Sequence, residues 1–434
     1  MKTFFHRRLG PLLILFFSAA LLLAGCLPAK NVLYTSAPAE RTSKQAALTF
    51  FGNKYEPLNV LAIEKALHGY MADHPDVSIA YESIKGREYY DVLAKRLATG
   101  NGDDIFMVDQ ATLLSLDRPR QLADLSDLST LEDFNTLVRS QMYTSDGGLY
   151  YVPTSISAFG LYCNLDLLEA HGQPVPETWS EFTAVCDHFV HHNITPVIAN
   201  NDISLKTLVL AKGLYPIYQS QDPAAALIHF NNGDADLAQA LHSGFTLVEE
   251  MIDSDYIDCA AALQTAKTQD DLTQFAKGEA PFMLTGAWAA ERLQELSPDF
   301  TFSVYPYPVL PDGSVLVINV DTRISVNADS PHLAEAKDFV EYLTQPEVLW
   351  EFVNSQCSFS PLRDSRLSDN KAIQPLEPYL SNGRSVLGAD DNLHYPIWEF
   401  SRQAIVQMLE GASADEATAY LAQQLTLWRE GEAQ

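Results

Sequence analysis

The chain is short of cysteine, of positive charge and, beyond its first residues, of long apolar runs. Each shortage excludes a class of protein. Five cysteines in 434 residues, with no CxxC spacing, argue against a disulfide-rich scaffold and against a structural zinc module. Cys163, Cys186, Cys259 and Cys357 each lie in a mainly apolar segment, so buried thiols are the default reading, with one native disulfide left open. Lys and Arg number 28 against 56 Asp and Glu, a net charge of −28. Phosphate binding needs clustered Lys and Arg, so nucleic acid is not an expected partner. There is no G-x-S-x-G elbow, HExxH, Walker loop or internal repeat. No cofactor is expected, and the chain reads as a non-enzyme. A secreted glycoside hydrolase, which needs a placed pair of carboxylates, stays as a less favoured alternative, because the many Asp and Glu fall mostly on helical surface positions.

The one long apolar run lies at the start. Lys2, Arg7 and Arg8 precede PLLILFFSAALLLA, roughly fifteen residues and short of the ~20 that a spanning helix needs. That is the layout of a secretory signal. Its end, Leu23-Ala24-Gly25-Cys26, resembles the lipobox of bacterial lipoproteins, in which the cysteine sulfur takes a diacylglyceryl group before cleavage. The resemblance implies a signal over residues 1–25, lipidation at Cys26, and a body held on the outer face of the cell membrane without a spanning helix. Residues 26–45 mix Pro, Ser, Thr and charges without periodicity and read as a flexible tether. Loss of Lys2, Arg7 and Arg8 with the signal takes the net charge from −28 to −31, which suits a soluble exposed body.

About 390 residues remain, more than one core usually supports, so two domains are expected. ALTFFG reads as a strand, VLAIEKALHGYMADHP as a helix stopped by Pro75, VSIAYESI as a strand, YYDVLAKRLATG as a helix and DIFMVD as a strand. Such a β-α-β-α-β succession implies a parallel or mixed sheet, whose ligands sit beyond the carboxyl ends of strands. Further on, one strand is expected around Tyr150 and another through Ala158 to Cys163. A capping box at Thr178 and Glu181 starts a helix, helical patterns run from Leu205 to Phe275, and APFMLTGAW is a strand that delivers Trp288.

The segments KRLATGNGDDIFMVD, GGLYYVPTSISAFGLYCNLDLLEAHG, VPETWSEF, FAKGEAPFMLTGAW, NADSPHLAEAKDFVEYLTQPE and FSPLRD, in this order over nearly all of 46–434, resemble the extracellular sugar-binding proteins of ABC transporters, the family of the maltose-binding protein. The resemblance implies an α/β fold of the two-lobe periplasmic-binding-protein kind (type II-like), with the chain crossing between hinge-connected lobes more than once. It places 46–155 with 321–368 in an N-terminal lobe and 156–320 with 369–434 in a C-terminal lobe. It further implies a monomer that catches a small solute, an oligosaccharide first, in the cleft and delivers it to ABC permease subunits. A surface sensor that passes occupancy to a signalling partner is the alternative.

A sugar offers hydroxyls at its edge and C–H groups on its face, so aromatic platforms and polar side chains are needed together. Trp288 stands where the family commonly has a stacking aromatic. Asp109 and Gln110 end a strand, with capping as the alternative role. Ser155 and Ser157 fall on the first expected crossing, near 153–157. Asn53 and Glu56 follow the first strand and Asn200 and Asn201 follow TPVIA, where turn and Asx roles compete. Asp321 and Arg323 lie at the second crossing and Arg363 in SPLRD, as ligand contacts or as an interlobe salt bridge. Tyr395 and Trp398 form an exposed-looking pair. Family members often carry glycines where this chain has VINVDTR. His191 and His192, with His188 nearby, read as a helix end, and no metal site is expected.

Overall fold

A computed structural model describes residues 34–35 and 46–431, apart from 117, 144–146, 234–235, 266–269 and 364–365. The signal segment and Cys26 lie outside the described residues. Within the expected tether, Tyr34–Thr35 forms a short strand, β1, antiparallel to Ser83 and Glu82.

The β-α-β-α-β opening is present as β2 (Ala46–Gly52), the helix Pro57–Asp73, β3 (Val77–Ser83), the helix Arg87–Ala98 and β4 (Ile105–Val108). Pro57 at the first helical turn fits its fixed φ and missing N–H. β2 pairs in parallel with β3 and β4. The later strands are β5 (Val152–Asn164), β6 (Val197–Ile198), β7 (Phe282–Gly286), β8 (Phe302–Tyr305), β9 (Tyr307–Leu310), β10 (Gly313–Val326) and β11 (Ser385–Leu387).

The sheet runs β1-β3-β2-β4-β10-β5-β7-β6. β10 lies antiparallel to β4 and to β5, and so joins the first half of the sheet to the second. The two strands expected around Tyr150 and Ala158–Cys163 are one strand, β5, and Tyr150 precedes it. All thirteen residues of β5 are buried, so it shows no alternation from which one long strand could be read.

Burial follows the two faces of this shared ribbon. Ile156, Ala158, Tyr162, Ile318 and Val320 join a cluster that fills the first half of the molecule and continues beneath Met283 and Leu293. Phe159, Leu161, Cys163, Val315 and Val317 join a second cluster with the helices Ser204–Tyr218, Leu237–Asp253, Ile397–Leu409 and Ala414–Glu430. The capping box at Thr178 and Glu181 forms as expected. The four described cysteines are free thiols, three of them buried and Cys259 half-buried.

The helices Ser204–Tyr218 and Leu237–Asp253 approach closely at two glycines. A Cβ at Gly244 would lie 2.4 Å from the carbonyl oxygen of Val209 and 2.6 Å from its Cα; one at Gly213 would lie 2.8 Å from Cα of Leu241. Alanine is the better helix former by about 1 kcal/mol, but here it meets backbone that cannot step aside without separating the helices. Gly244→Ala is therefore expected to destabilise the protein by about 1–3 kcal/mol in urea unfolding. A neutral or stabilising result would mean that the helices do not pack this closely.

Candidate functional site

The site is built on one face of the β5/β10 ribbon. The register pairs Phe159 with Val317, Ser157 with Asn319, Ser155 with Asp321 and Pro153 with Arg323. Directly opposed residues of antiparallel strands share a face and a strand repeats every two residues, so Phe159, Ser157, Asn319, Asp321 and Arg323 form one row.

At one end of the row, Phe159 is flanked by two tryptophans. Trp288 meets it edge-on with ring centres 5.2 Å apart, and Trp398 is tilted against it at 4.9 Å. Two glycines make room for these indoles. A Cβ at Gly286 would lie 2.1 Å from the Trp288 ring, and one at Gly388 would lie 2.5 Å from Trp398. Both rings are half-buried. The buried Lys206 ammonium, paired with Asp202 at 3.0 Å, sits 4.3 Å from the centre of the Trp398 ring.

In the middle of the row, Asp321 accepts from Ser157 Oγ at 2.8 Å and from the Thr322 amide at 2.6 Å, and pairs with Lys54 Nζ at 3.2 Å. Burial opposes its ionisation, but the Lys54 charge and these hydrogen bonds outweigh it and hold the carboxyl at about 2. Its side chain is still 38% exposed, so the carboxylate remains reachable. Thr322, a β-branched residue, has φ +47°, an uncommon conformation. Ser155 donates to its hydroxyl at 3.0 Å and Thr154 to its carbonyl at 3.1 Å, which brace the kink that turns Asp321 and Arg323 to their separate partners.

At the far end, Arg323 makes a two-pronged pair with Asp391, at 2.9 and 3.0 Å, with both side chains under a tenth exposed. The Tyr151 hydroxyl lies within hydrogen-bond distance of both the same carboxylate and the Gln141 carbonyl, and the Gln141 side-chain oxygen accepts from the Asp391 amide at 2.7 Å. The loop carrying Asp391 is thus pinned from several sides. Tyr218 donates to Asp390, and Asn319 Oδ1 accepts from the Ala389 amide at 2.8 Å.

The loop after β2 lies beside the row. Asn53 donates to the Tyr90 hydroxyl at 3.0 Å, and Tyr81 donates to the Lys54 carbonyl at 2.8 Å. Desolvation, then the charges of Asp109 and Asp321, keep the Tyr90 hydroxyl protonated and able to donate. Glu56 lies 3.5 Å from Arg292 on the helix Ala289–Glu295, which begins just after Trp288. This ion pair links the loop after β2 to the segment after β7.

Of the residues singled out from the sequence, Asn53, Glu56, Ser157, Trp288 and Asp321 are brought around the row. Asp109 stands near it but caps the helix Gln110–Ser115 through the Thr112 amide at 2.8 Å. The others are taken by the protein itself. Gln110 is buried and donates to the carbonyls of Asp390 and Leu393. Ser155 is buried on Thr322. Asn200 is buried, donating to Asp271 and accepting the Ile203 amide, and Asn201 donates to the Leu263 carbonyl. Arg363 is exposed against Glu132 and Asp133. Tyr395 is buried, its hydroxyl 3.2 Å from the Phe230 carbonyl, so the exposed pair with Trp398 does not exist. The sequence reading missed Lys54, Tyr90, Lys206, Arg292 and Asn319; Lys54 alone carried a signal, as the neighbour of Asn53 at a strand end.

A two-part α/β body with a polar and aromatic row along its crossing ribbon is the architecture of a binding protein. The model of the family described as bacterial extracellular solute-binding protein matches residues 65–375, and the chain belongs to that family. It is 24% identical over 240 residues to the multiple sugar-binding protein of Streptococcus mutans, covering 54% of this chain and 56% of that one. The chain thus spans little more than half the length of that relative. It is 22% identical over 342 residues to MelE of Bacillus subtilis, the melibiose/raffinose/stachyose-binding protein, covering 77% and 76%. The fold matches the binding protein MsmE of Bacillus subtilis in an open conformation, with TM-score 0.72, 18% identity and coverage of 90% and 99%. It also matches apo RafE of Streptococcus pneumoniae, with TM-score 0.70, 18% identity and coverage of 88% and 98%. The two-lobe fold expected from the sequence is the fold observed.

Removing one partner of a buried, hydrogen-bonded ion pair leaves the other charge uncompensated. Arg323→Met is expected to cost about 3–5 kcal/mol in chemical unfolding, and adding Asp391→Leu to recover most of it. An additive double variant would show that the two do not act as a pair. Asp321 gives a separate pH signature. Its folded pKa of about 2 lies below the unfolded value of about 3.9, so its contribution is present above pH ~4 and is lost as pH falls through about 2. The stability difference between the native chain and Asp321→Asn is expected to shrink between pH 5 and pH 2; a constant difference would contradict the Lys54 pairing.

Proposed function

We propose that this protein captures a carbohydrate, an oligosaccharide first, between its lobes and delivers it to an ABC importer. The observation that carries the reading is the row itself, with an aromatic wall of Trp288 and Trp398 at one end and the Asp321 carboxylate a few residues along the same strand face. Indole faces suit sugar C–H surfaces, and the Asp321 carboxylate, which accepts from Ser157, the Thr322 amide and Lys54, keeps capacity for a sugar hydroxyl. Relatives named for multiple sugars and for melibiose, raffinose and stachyose support the sugar class, as does a structural neighbour described as RafE in complex with raffinose.

Lobes of 46–155 with 321–368 and of 156–320 with 369–434 would divide the ribbon where β5 and β10 cross. Residues of the loop after β2, including Asn53 and Glu56, then close on Trp288 and Trp398 from opposite sides. Ligand that touches both lobes favours the closed state by its differential affinity. Binding without turnover is supported by the relatives, which are named as binding proteins, and Asp321, paired with Lys54, offers a ligand an acceptor and not a proton. A lipid at Cys26 would keep the receptor beside its permease on the outer face of the membrane.

Thermal unfolding of the full chain against melibiose, raffinose, stachyose, maltose, lactose, monosaccharides, polyols and amino acids tests this. At a hundred times Kd a ligand adds about 2.7 kcal/mol to the folded state, which for lobes of this size raises Tm by several degrees. One sugar class is expected to give a saturable rise that Trp288→Ala removes, with the sugar recovered unchanged. No shift with any sugar, or consumption of the sugar, would overturn the reading.

A further inference from the structure

Three histidines from two helix ends meet on the second half of the molecule. His171 caps the helix Leu165–Ala170, His188 lies in the last turn of Trp179–His191, and His192 caps that helix. Their candidate ligand atoms all lie within 4.8 Å of one another. His171 Nδ1 and His188 Nε2 are 3.1 Å apart, and the rings of His188 and His192 lie 4.3 Å apart, tilted by 31°.

We propose that His171, His188 and His192 form a site for a divalent transition metal of the zinc class, held by three imidazole nitrogens with a fourth position open to water. Two nitrogens of a tetrahedral zinc with bonds of about 2.0–2.1 Å stand about 3.3 Å apart, close to the observed 3.1 Å between His171 and His188. His188 and His192 are four residues apart on one helix face, the spacing by which helices present two imidazoles to one ion. His192 Nδ1 lies 2.7 Å from the His188 carbonyl, which fixes the proton on Nδ1 and leaves Nε2 free to bind. His192 is exposed at the helix end, so its ring can swing the remaining distance. His191 makes the same kind of Nδ1 contact, with the Asp187 carbonyl at 2.6 Å, but is not part of the cluster.

The ligand chemistry agrees with the geometry. Imidazole nitrogens without thiolate or carboxylate ligands suit zinc, nickel and copper, and exclude calcium and magnesium, which take oxygen. The ion would tie the end of the helix Leu165–Ala170 to the end of Trp179–His191.

The test is calorimetric titration of the untagged, chelator-stripped full chain with Zn2+, read alongside Tm. Binding of one Zn2+ per chain with a rise in Tm is expected. The affinity should fall by more than about 100-fold in His188→Ala and in His171→Ala, since losing a ligand costs more than losing its outer partner. His191→Ala should bind as the native chain does, and Ca2+ should give no heat. Loss of folding in the His188 variant is distinguished by circular dichroism, and His192→Ala, altered at an exposed position, then serves in its place. Absence of stoichiometric binding, or equal binding in the His171, His192 and His191 variants, would overturn the site and leave a hydrogen-bonded histidine pair.

Discussion

The antiparallel pairing of β5 with β10 is the constraint on which the rest of the structure depends. It runs from Val317 to Ile324 of β10, and it joins a first half of parallel strands to a second half built on β7 and β6. One face of it is core to the first cluster, while the other contributes Phe159 and Val317 to the second. A slip of one residue would turn Asp321 and Arg323 into the first core and expose Ile318 and Val320. Register, core and site are therefore a single decision of the chain.

Under the proposed function the same ribbon meets two opposed demands, since it must hold register while two lobes close on a ligand. The polar row answers the first. Arg323 with Asp391, and Asn319 with the Ala389 amide, fasten the segment 389–391, where the chain returns to the ribbon after β11, by hydrogen bonds that fix direction as well as distance. Buried apolar packing alone would tolerate sliding, whereas a two-pronged guanidinium–carboxylate contact does not. The conformation of Thr322 sits between Asp321, which faces the loop after β2, and Arg323, which faces the returning segment, and separates their duties over one peptide unit.

Local features were legible in the sequence wherever the signal was local. The strand and helix succession from Ala46 to Val108 follows from apolar runs bounded by Pro and Gly. The box at Thr178 and Glu181 and the delivery of Trp288 by a strand ending in Gly286 follow from residues within a few positions of each other. β5 was divided because an all-buried strand has no alternation to read. Polar residues at strand ends looked alike in sequence, yet Asn200 spends its amide on Asp271 and Gln110 on the Asp390 and Leu393 carbonyls. Those partners lie tens to hundreds of positions away, and no spacing rule announces them. His171 joined no motif for the same reason, since it precedes His188 by a loop and a helix.

Where the family resemblance leads to an expectation of glycines, VINVDTR fills the strand face with the side chains of Asn319, Asp321 and Arg323. Asn319 and Arg323 are occupied by the returning segment, which leaves Asp321, with Ser157 and Lys54, as the polar part of this face of the strand pair. Under the proposed function, a sugar hydroxyl meets a carboxylate that already accepts from Ser157, the Thr322 amide and Lys54. The carboxylate alone then offers such a ligand little, and the larger share of the contact falls to the indoles beside Phe159.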